Sequence, residues 1–132
     1  GAYDASDDLA SPNSDGIGWI LKNVKSFGET TTLKGEARGI DLDYFQLINS
    51  HSSPKLTGGQ DYKITVADEI WNGSDTGDIA RVLVKDQGGN NVSLTNSGND
   101  YTFTANGSSD YFLQIMGDVG EDAQYSMVFD IV

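Results

Sequence analysis

The stretch Gly39-Ile40-Asp41-Leu42-Asp43-Tyr44-Phe45-Gln46-Leu47 places two carboxylates two positions apart, at the start of an apolar and aromatic segment. In an extended chain, the side chains of residues i and i+2 point to the same side. We therefore expect Asp41 and Asp43 to point toward one place where the chain enters a β-strand. Because two close carboxylates repel each other, this arrangement calls for a cation or a basic partner. The chain has 20 acidic and 8 basic residues, which favours a metal ion.

Alternation of apolar and polar residues recurs along the chain and predicts further strands. Residues 62–66 alternate between Tyr, Ile or Val and Lys or Thr. Similar alternation occurs over residues 80–85, 111–115 and 125–131. Each pattern predicts a strand with one buried face. Weaker strand patterns occur over residues 19–24, 30–36, 44–48, 92–94 and 101–105.

This pattern predicts an all-β chain. About eight or nine short strands with frequent Gly-, Asn- and Asp-rich turns favour an antiparallel, jelly-roll-like β-sandwich. A closed barrel of about eight strands is the alternative. Residues 1–16 are interpreted as an irregular acidic lead-in packed on the sandwich, and residues 17–132 as a single β-sandwich domain.

The charge of the chain excludes several classes of partner. The net charge is −12 and the isoelectric point about 4.1, whereas nucleic-acid binding needs a basic surface. We also expect no membrane insertion, because no apolar run approaches the roughly 18 residues that a span requires.

The absence of cysteine excludes disulfides and thiolate metal sites, and it fits a bacterial extracellular protein stabilised by calcium.

A metal site is predicted from two acidic clusters that are distant in the sequence. They comprise Asp4, Asp7 and Asp8 in the lead-in, and Asp41 and Asp43 at the start of a strand. Calcium takes about six to eight oxygen ligands from carboxylates, carbonyls and water. The clusters could supply these ligands if the lead-in folds back beside the strand. The alternative is a solvated N-terminal segment next to a polar strand start.

A second candidate site is the long acidic loop Asp68-Glu69-Ile70-Trp71-Asn72-Gly73-Ser74-Asp75-Thr76-Gly77-Asp78. Long loops between strands often carry function, and an exposed Trp can contact carbohydrate or peptide. The alternative is an ordinary loop whose Trp packs against the edge of the core. The candidate ligand-binding residues are Trp71, Asp68, Asn72, Asp75, Asp78 and Tyr3.

No catalytic residue set is present, so we predict that the chain is not an enzyme. The single histidine, His51, lies in a Ser- and Pro-rich turn, and the chain has no Gly-x-Ser-x-Gly motif for a nucleophile. Catalytic zinc normally needs His or Cys ligands, and the chain has one His and no Cys.

The order of these motifs resembles the bacterial pre-peptidase C-terminal domain family over most of the chain. The segments that carry the resemblance are an acidic start at 4–10, Asp-x-Asp-Tyr-Phe at 41–45, Gly-x-x-Tyr-x-Ile-x-Val at 59–66, an apolar strand ending in Asp-x-x-Gly at 82–89, and tyrosine-led strands at 111–115 and 125–129. Two departures are a lead-in rich in Asp where the family usually has Glu and Asn, and a 68–78 loop that is longer than usual.

The resemblance has implications for function. The family is a calcium-binding β-sandwich, so the resemblance implies Ca²⁺ ligands at Asp7, Asp8, Asp41 and Asp43, together with Asp4. It further implies a non-catalytic accessory module of a secreted multidomain protein that binds polymeric substrate, either a polysaccharide or an extracellular protein. The alternative is a structural or ligand-binding domain of a large calcium-dependent bacterial surface adhesin. We expect an extracellular monomer whose partners include neighbouring domains of a longer parent chain.

Overall fold

The computed structural model describes residues 13–15, 17, 20–21, 42–69, 78–117 and 123–132, with the backbone alone described at 13–15 and 20–21. Within these ranges the chain is all-β and contains no helix. The predicted strand at 30–36 lies outside them. The strands are β1 (Asn13–Asp15), β2 (Ile20–Leu21), β3 (Leu42–Leu47), β4 (Asp61–Asp68), β5 (Ile79–Asp86), β6 (Thr95–Ser97), β7 (Asp100–Thr104), β8 (Tyr111–Gly117) and β9 (Tyr125–Ile131).

The strands form two separate sheets, which confirms the sandwich and not the barrel. Sheet I has the order β1-β3-β8-β5, and sheet II has the order β2-β9-β4-β7-β6. All neighbouring strands are antiparallel except β1 and β3, which are parallel. The pairing of β1 with Phe45–Leu47 shows that the end of the acidic lead-in is a strand and not irregular. The proposed division of the chain at residue 16 stays a prediction.

The period-two patterns place one face of each sheet in the core. In β4, for example, Tyr62, Ile64 and Val66 are buried, whereas Lys63 and Thr65 are half-buried on the other face. Burying a side chain of this size stabilises the fold by about 1.5–3 kcal/mol. The buried core comprises Phe45, Leu47, Leu56, Tyr62, Ile64, Val66, Val82, Val84, Phe103, Ala105, Tyr111, Leu113, Ile115, Ala123, Tyr125, Met127 and Phe129.

Aromatic rings fill the centre of the core. The ring of Tyr62 stacks on Phe129 with centroids 5.4 Å apart, and Phe103 packs against Tyr111 at 5.1 Å. Such pairs contribute beyond the area that they bury. The two tyrosines also anchor loops, because the Tyr62 hydroxyl accepts a hydrogen bond from the Thr57 amide (2.9 Å) and the Tyr111 hydroxyl accepts one from the Asn106 amide (2.6 Å).

Two strand interpretations need correction. Residues 92–94 contain no strand, because only Asn91 forms an isolated bridge, with Lys85, before β6 begins at Thr95. In β8 the burial is not confined to one face, since Gln114 and Met116 on the outer side are buried and only Phe112 there is half-buried. On the same outer side of sheet I, Tyr44 of β3 is buried as well.

A tight turn rich in Gly and Asn connects Val84 to Val92. The Val92 amide donates to the Val84 carbonyl (2.8 Å), and the Asp86 amide donates to the Asn90 carbonyl (2.9 Å). The Asp86 carboxylate closes the turn by accepting hydrogen bonds from the Gly88 and Asn90 amides. Gly89 has a φ of +82°, a conformation that glycine adopts readily.

Candidate metal and ligand site

Four of the described acidic residues lie at one end of the sandwich because of the strand register. In sheet I, the start of β3 lies beside the end of β8, and the start of β5 lies there too, with Ile79 opposite Gly117. In sheet II, Asp68 at the end of β4 lies opposite Tyr125 at the start of β9. We call this region, defined by Asp43, Asp68, Glu69 and Asp78, the acidic end.

Asp43 is the described candidate ligand that lies deepest in the protein. Its side chain faces the space between the two sheets, as does that of its neighbour in β8, Ile115, and it has 0 % exposed surface. The hydroxyl of Tyr125, which reaches across from sheet II, donates a hydrogen bond to Oδ2 of Asp43 at 3.0 Å. A fully buried carboxylate is costly unless hydrogen bonds or a cation compensate for the lost water. Asp43 is therefore a buried polar residue between the sheets, and the start of β3 is not solvated at this position.

Asp68 has a structural contact of its own. Its Oδ1 accepts a hydrogen bond from the backbone amide of Ile79 at 2.9 Å, so that it joins the end of β4 to the start of β5. The next residue, Glu69, donates its amide to the carbonyl of Gln124 at 2.9 Å. Both bonds tie the two ends of the acidic loop to the sandwich. The exposed carboxylates of Asp68, Glu69 and Asp78 face solvent at this end.

Most of the predicted site residues lie outside the described ranges. These are Asp4, Asp7, Asp8 and Asp41 of the metal set, and Trp71, Asn72, Asp75 and Tyr3 of the ligand-binding set. Of the predicted residues that are described, Asp43 is buried, whereas Asp68 and Asp78 are exposed at the same end of the sandwich. Whether the complete sets come together stays a prediction.

The described donors fit a calcium site only in part. Across the described ranges, no three or more His, Asp or Glu side chains are grouped closely enough to hold a metal ion. Asp43 nevertheless supplies a hard, inward-facing carboxylate, which is the donor chemistry that calcium prefers. A calcium ion there would have to draw its remaining oxygens from residues outside the described ranges and from water.

Sequence reasoning missed the residues that contact this region from elsewhere in the chain. Tyr125, which is 82 positions away in the sequence, forms a hydrogen bond with Asp43.

A second contact that sequence reasoning missed lies on the outer side of sheet I. There Gln114 is 4 % exposed and donates its Nε2 to the hydroxyl of Tyr44 at 2.7 Å. Arg81 in turn donates its Nη2 to Oε1 of Gln114 at 3.0 Å. The alternating sequence pattern places Gln114 on an outer face, where burial is not expected. The contacts of Gln114 with Tyr44 and Arg81 could therefore be identified only from the strand register.

The described ranges contain no helix that is both long enough and apolar enough to cross a membrane.

Comparison with known proteins gives a similarity of fold. No family model and no curated protein matches the chain. Among solved structures, the chain is similar to the pre-peptidase C-terminal domain of collagenase from Bacillus anthracis, with a TM-score of 0.55 and 14 % sequence identity. The match covers 91 % of this chain and 95 % of that domain. The chain therefore has the β-sandwich fold of a pre-peptidase C-terminal domain.

Proposed function

We propose that this chain is a non-catalytic, calcium-binding accessory module of a secreted bacterial multidomain protein, and that it binds the polymeric substrate of that protein. The observation that carries the proposal is the fold. The similarity extends over nearly the full length of both chains, and the matched chain is a domain of a collagenase. A module of this fold that carries no catalytic residue set of its own would serve an enzyme by binding.

The calcium part of the proposal rests on Asp43. Its carboxylate has no exposed surface and lies at the acidic end, where the strand register also places Asp68 and Asp78. We propose that Asp43 holds Ca²⁺ together with Asp4, Asp7, Asp8 and Asp41. The ion would supply a positive charge that draws the first residues of the chain against the start of β3.

The non-catalytic part is supported by the position of the histidine. His51 is exposed in the connection that follows β3, at the opposite end of the sandwich from Asp43. It is the only histidine in the chain, so the acidic end has no imidazole to act as a general base.

The calcium proposal is tested by thermal unfolding with Ca²⁺, with EGTA, and with Mg²⁺ in place of Ca²⁺. A ligand that binds only the native state at a hundredfold excess over Kd stabilises it by about 2.7 kcal/mol. For a domain of this size, such a gain raises Tm by roughly 5–15 °C. Identical melting curves in Ca²⁺ and EGTA would falsify the calcium site.

Substrate binding is tested by retention of the protein on insoluble collagen, chitin, agar and cellulose. Retention on at least one polymer is expected, and Trp71→Ala should reduce it if the 68–78 loop contacts the polymer. Loss of retention with an unchanged melting temperature would assign the effect to the loop and not to unfolding. The protein is not a substrate-binding module if none of these matrices retains it and if soluble acidic and neutral glycans do not slow its migration in affinity gel electrophoresis.

A further inference from the structure

The outer face of sheet I has an unusual charge distribution for so acidic a chain. The strand register arranges its outward side chains in three rows across β3, β8 and β5. These rows are Leu42–Met116–Arg81, Tyr44–Gln114–Leu83 and Gln46–Phe112–Lys85. No carboxylate occurs among them, and the only charged groups are the two cations, although the chain has a net charge of −12.

Arg81 is held in place on this face by buried polar groups. Its Nη2 donates to Oε1 of Gln114 (3.0 Å), and Nε2 of Gln114 donates to the Tyr44 hydroxyl (2.7 Å). Gln114 and Tyr44 are 4 % and 9 % exposed, whereas Arg81 is exposed. A guanidinium group that is already held by one hydrogen bond loses little further side-chain entropy when it binds a ligand.

Both cations lack an acidic partner in the described part of the chain. The ion pair found there joins Lys55 and Asp110 and involves neither Arg81 nor Lys85. Lys85 donates instead to the amide oxygen of Asn91 at 2.8 Å. Guanidinium and ammonium groups bind carboxylates more strongly than they bind neutral acceptors. Arg81 and Lys85 therefore retain binding capacity for an anionic ligand.

The spacing of the cations suits an extended polymer. Arg81 and Lys85 are four residues apart on one strand and point to the same side, so their Cα atoms are separated by about 13 Å. The half-buried ring of Phe112 and the amide of Gln46 share the row of Lys85. An apolar ring next to amides and charges is typical of surfaces that bind sugars, because the ring packs on the C–H face of a sugar while the amides contact hydroxyls.

We propose that the outer face of sheet I binds an acidic polysaccharide, with Arg81 and Lys85 pairing with carboxylates of uronic-acid residues along one polymer chain. The inference deepens the proposed function by naming a substrate class, and it relies on polymer binding but not on calcium. It assigns recognition to Arg81 and Lys85 and not to Trp71.

The test measures affinity for polygalacturonate and alginate by affinity gel electrophoresis in EDTA, with dextran as a neutral polymer. Arg81→Gln and Lys85→Gln should each weaken binding to the acidic polymers by about tenfold, the loss expected for one charge-assisted hydrogen bond. Lys63→Gln is the matched control, since it removes one positive charge from the outer face of sheet II, and it should change binding less than about twofold. Tyr44→Phe keeps all charges but releases Gln114, so a smaller loss is expected from poorer positioning of Arg81.

Several results would overturn the inference. Equal losses from Lys63→Gln and Arg81→Gln would mean that binding follows net charge and not this face. Equally tight binding of poly-glutamate would identify an acidic polypeptide as the ligand class. Binding of dextran or an insoluble neutral polymer that depends on Trp71 and not on Arg81 would leave the proposed function standing while this inference fails. Melting temperatures of all variants within about 3 °C of the parent protein establish that losses are not due to unfolding.

Discussion

The hydroxyl of Tyr125 in sheet II donates a 3.0 Å hydrogen bond to Oδ2 of Asp43 in sheet I, and both side chains have 0 % exposed surface. This bond is a polar link between the two layers of a sandwich whose interior is otherwise mainly apolar. It connects the residue that the sequence marks as a metal ligand to the first residue of the last strand. The properties of Asp43 therefore depend on a partner in the opposite sheet.

Removal of the Tyr125 hydroxyl is expected to destabilise the protein. In Tyr125→Phe the buried carboxylate loses a donor, so we expect the free energy of unfolding to fall by about 1–3 kcal/mol in urea denaturation. Tyr101→Phe is the control, because Tyr101 is half-buried and its hydroxyl makes no hydrogen bond with the described residues. Its expected change is within about 0.5 kcal/mol. Equal effects of the two substitutions would show that the Tyr125–Asp43 bond does not stabilise the fold.

The substitution Asp43→Asn distinguishes two roles of Asp43, as a calcium ligand and as the acceptor of the Tyr125 hydrogen bond. The amide has nearly the shape of the carboxylate and can still accept a bond from Tyr125, but it is a weaker calcium ligand because it lacks the negative charge. We expect the calcium-induced rise in Tm to be reduced by more than half in Asp43→Asn. In Tyr125→Phe the rise should persist on a lower baseline. A full calcium response in Asp43→Asn would remove Asp43 from the metal site.

A side chain at Gly58 is expected to push two loops apart. A Cβ atom there would lie 2.8 Å from the backbone nitrogen of Gly107, which is closer than real Cβ contacts allow. Because backbone must move to relieve the contact, Gly58→Ala should cost about 1–3 kcal/mol in urea denaturation. Gly107→Ala is the comparison, since its Cβ would lie 3.3 Å from the nitrogen of Gly58 and should cost less. The reverse order of the two costs would contradict this packing.

Loss of the Asp68 carboxylate is expected to loosen the start of β5 locally. Asp68 Oδ1 accepts the Ile79 amide at 2.9 Å, and Asp68→Ala removes this acceptor. We expect hydrogen exchange of the Ile79 amide to become about tenfold faster, which corresponds to the loss of one hydrogen bond of ordinary strength. Asp78→Ala removes an exposed carboxylate beside Ile79 that makes no hydrogen bond with the described residues, and exchange there should be unchanged. Equal acceleration in both variants would indicate an electrostatic effect in place of the hydrogen bond.

Periodicity predicted the fold class because it reports which face of a strand is buried. Tyr62, Ile64 and Val66 alternate with polar residues because one face of β4 is buried in the core and the other is the outer face. It does not report the order of strands in a sheet. The buried Gln114 on the outer face of β8 was therefore not predicted, since its partners Tyr44 and Arg81 come from strands distant in the sequence.

The candidate site was predictable to the extent that its chemistry is local. Asp43 stood out because it follows another carboxylate two positions earlier and precedes an aromatic strand, and a local motif of this kind is visible in the sequence. Tyr125 carried no comparable signal, because an alternating Tyr at the start of a strand is an ordinary core residue until the opposite sheet is known.

The strand order of the two sheets has a consequence for how the protein acquires its structure. Apart from the pairing of β6 with β7, each strand pairing joins strands that are not adjacent in the chain, and β9 lies inside sheet II, between β2 and β4. Loop closure must precede most pairings, so folding should be slow for the size of the chain, in the range of about milliseconds to seconds. Sheet II cannot be completed before the last strand has left the ribosome or the export channel. The sandwich is therefore expected to assemble only once β9 is available, and the part of the chain made before it should stay largely unfolded until then.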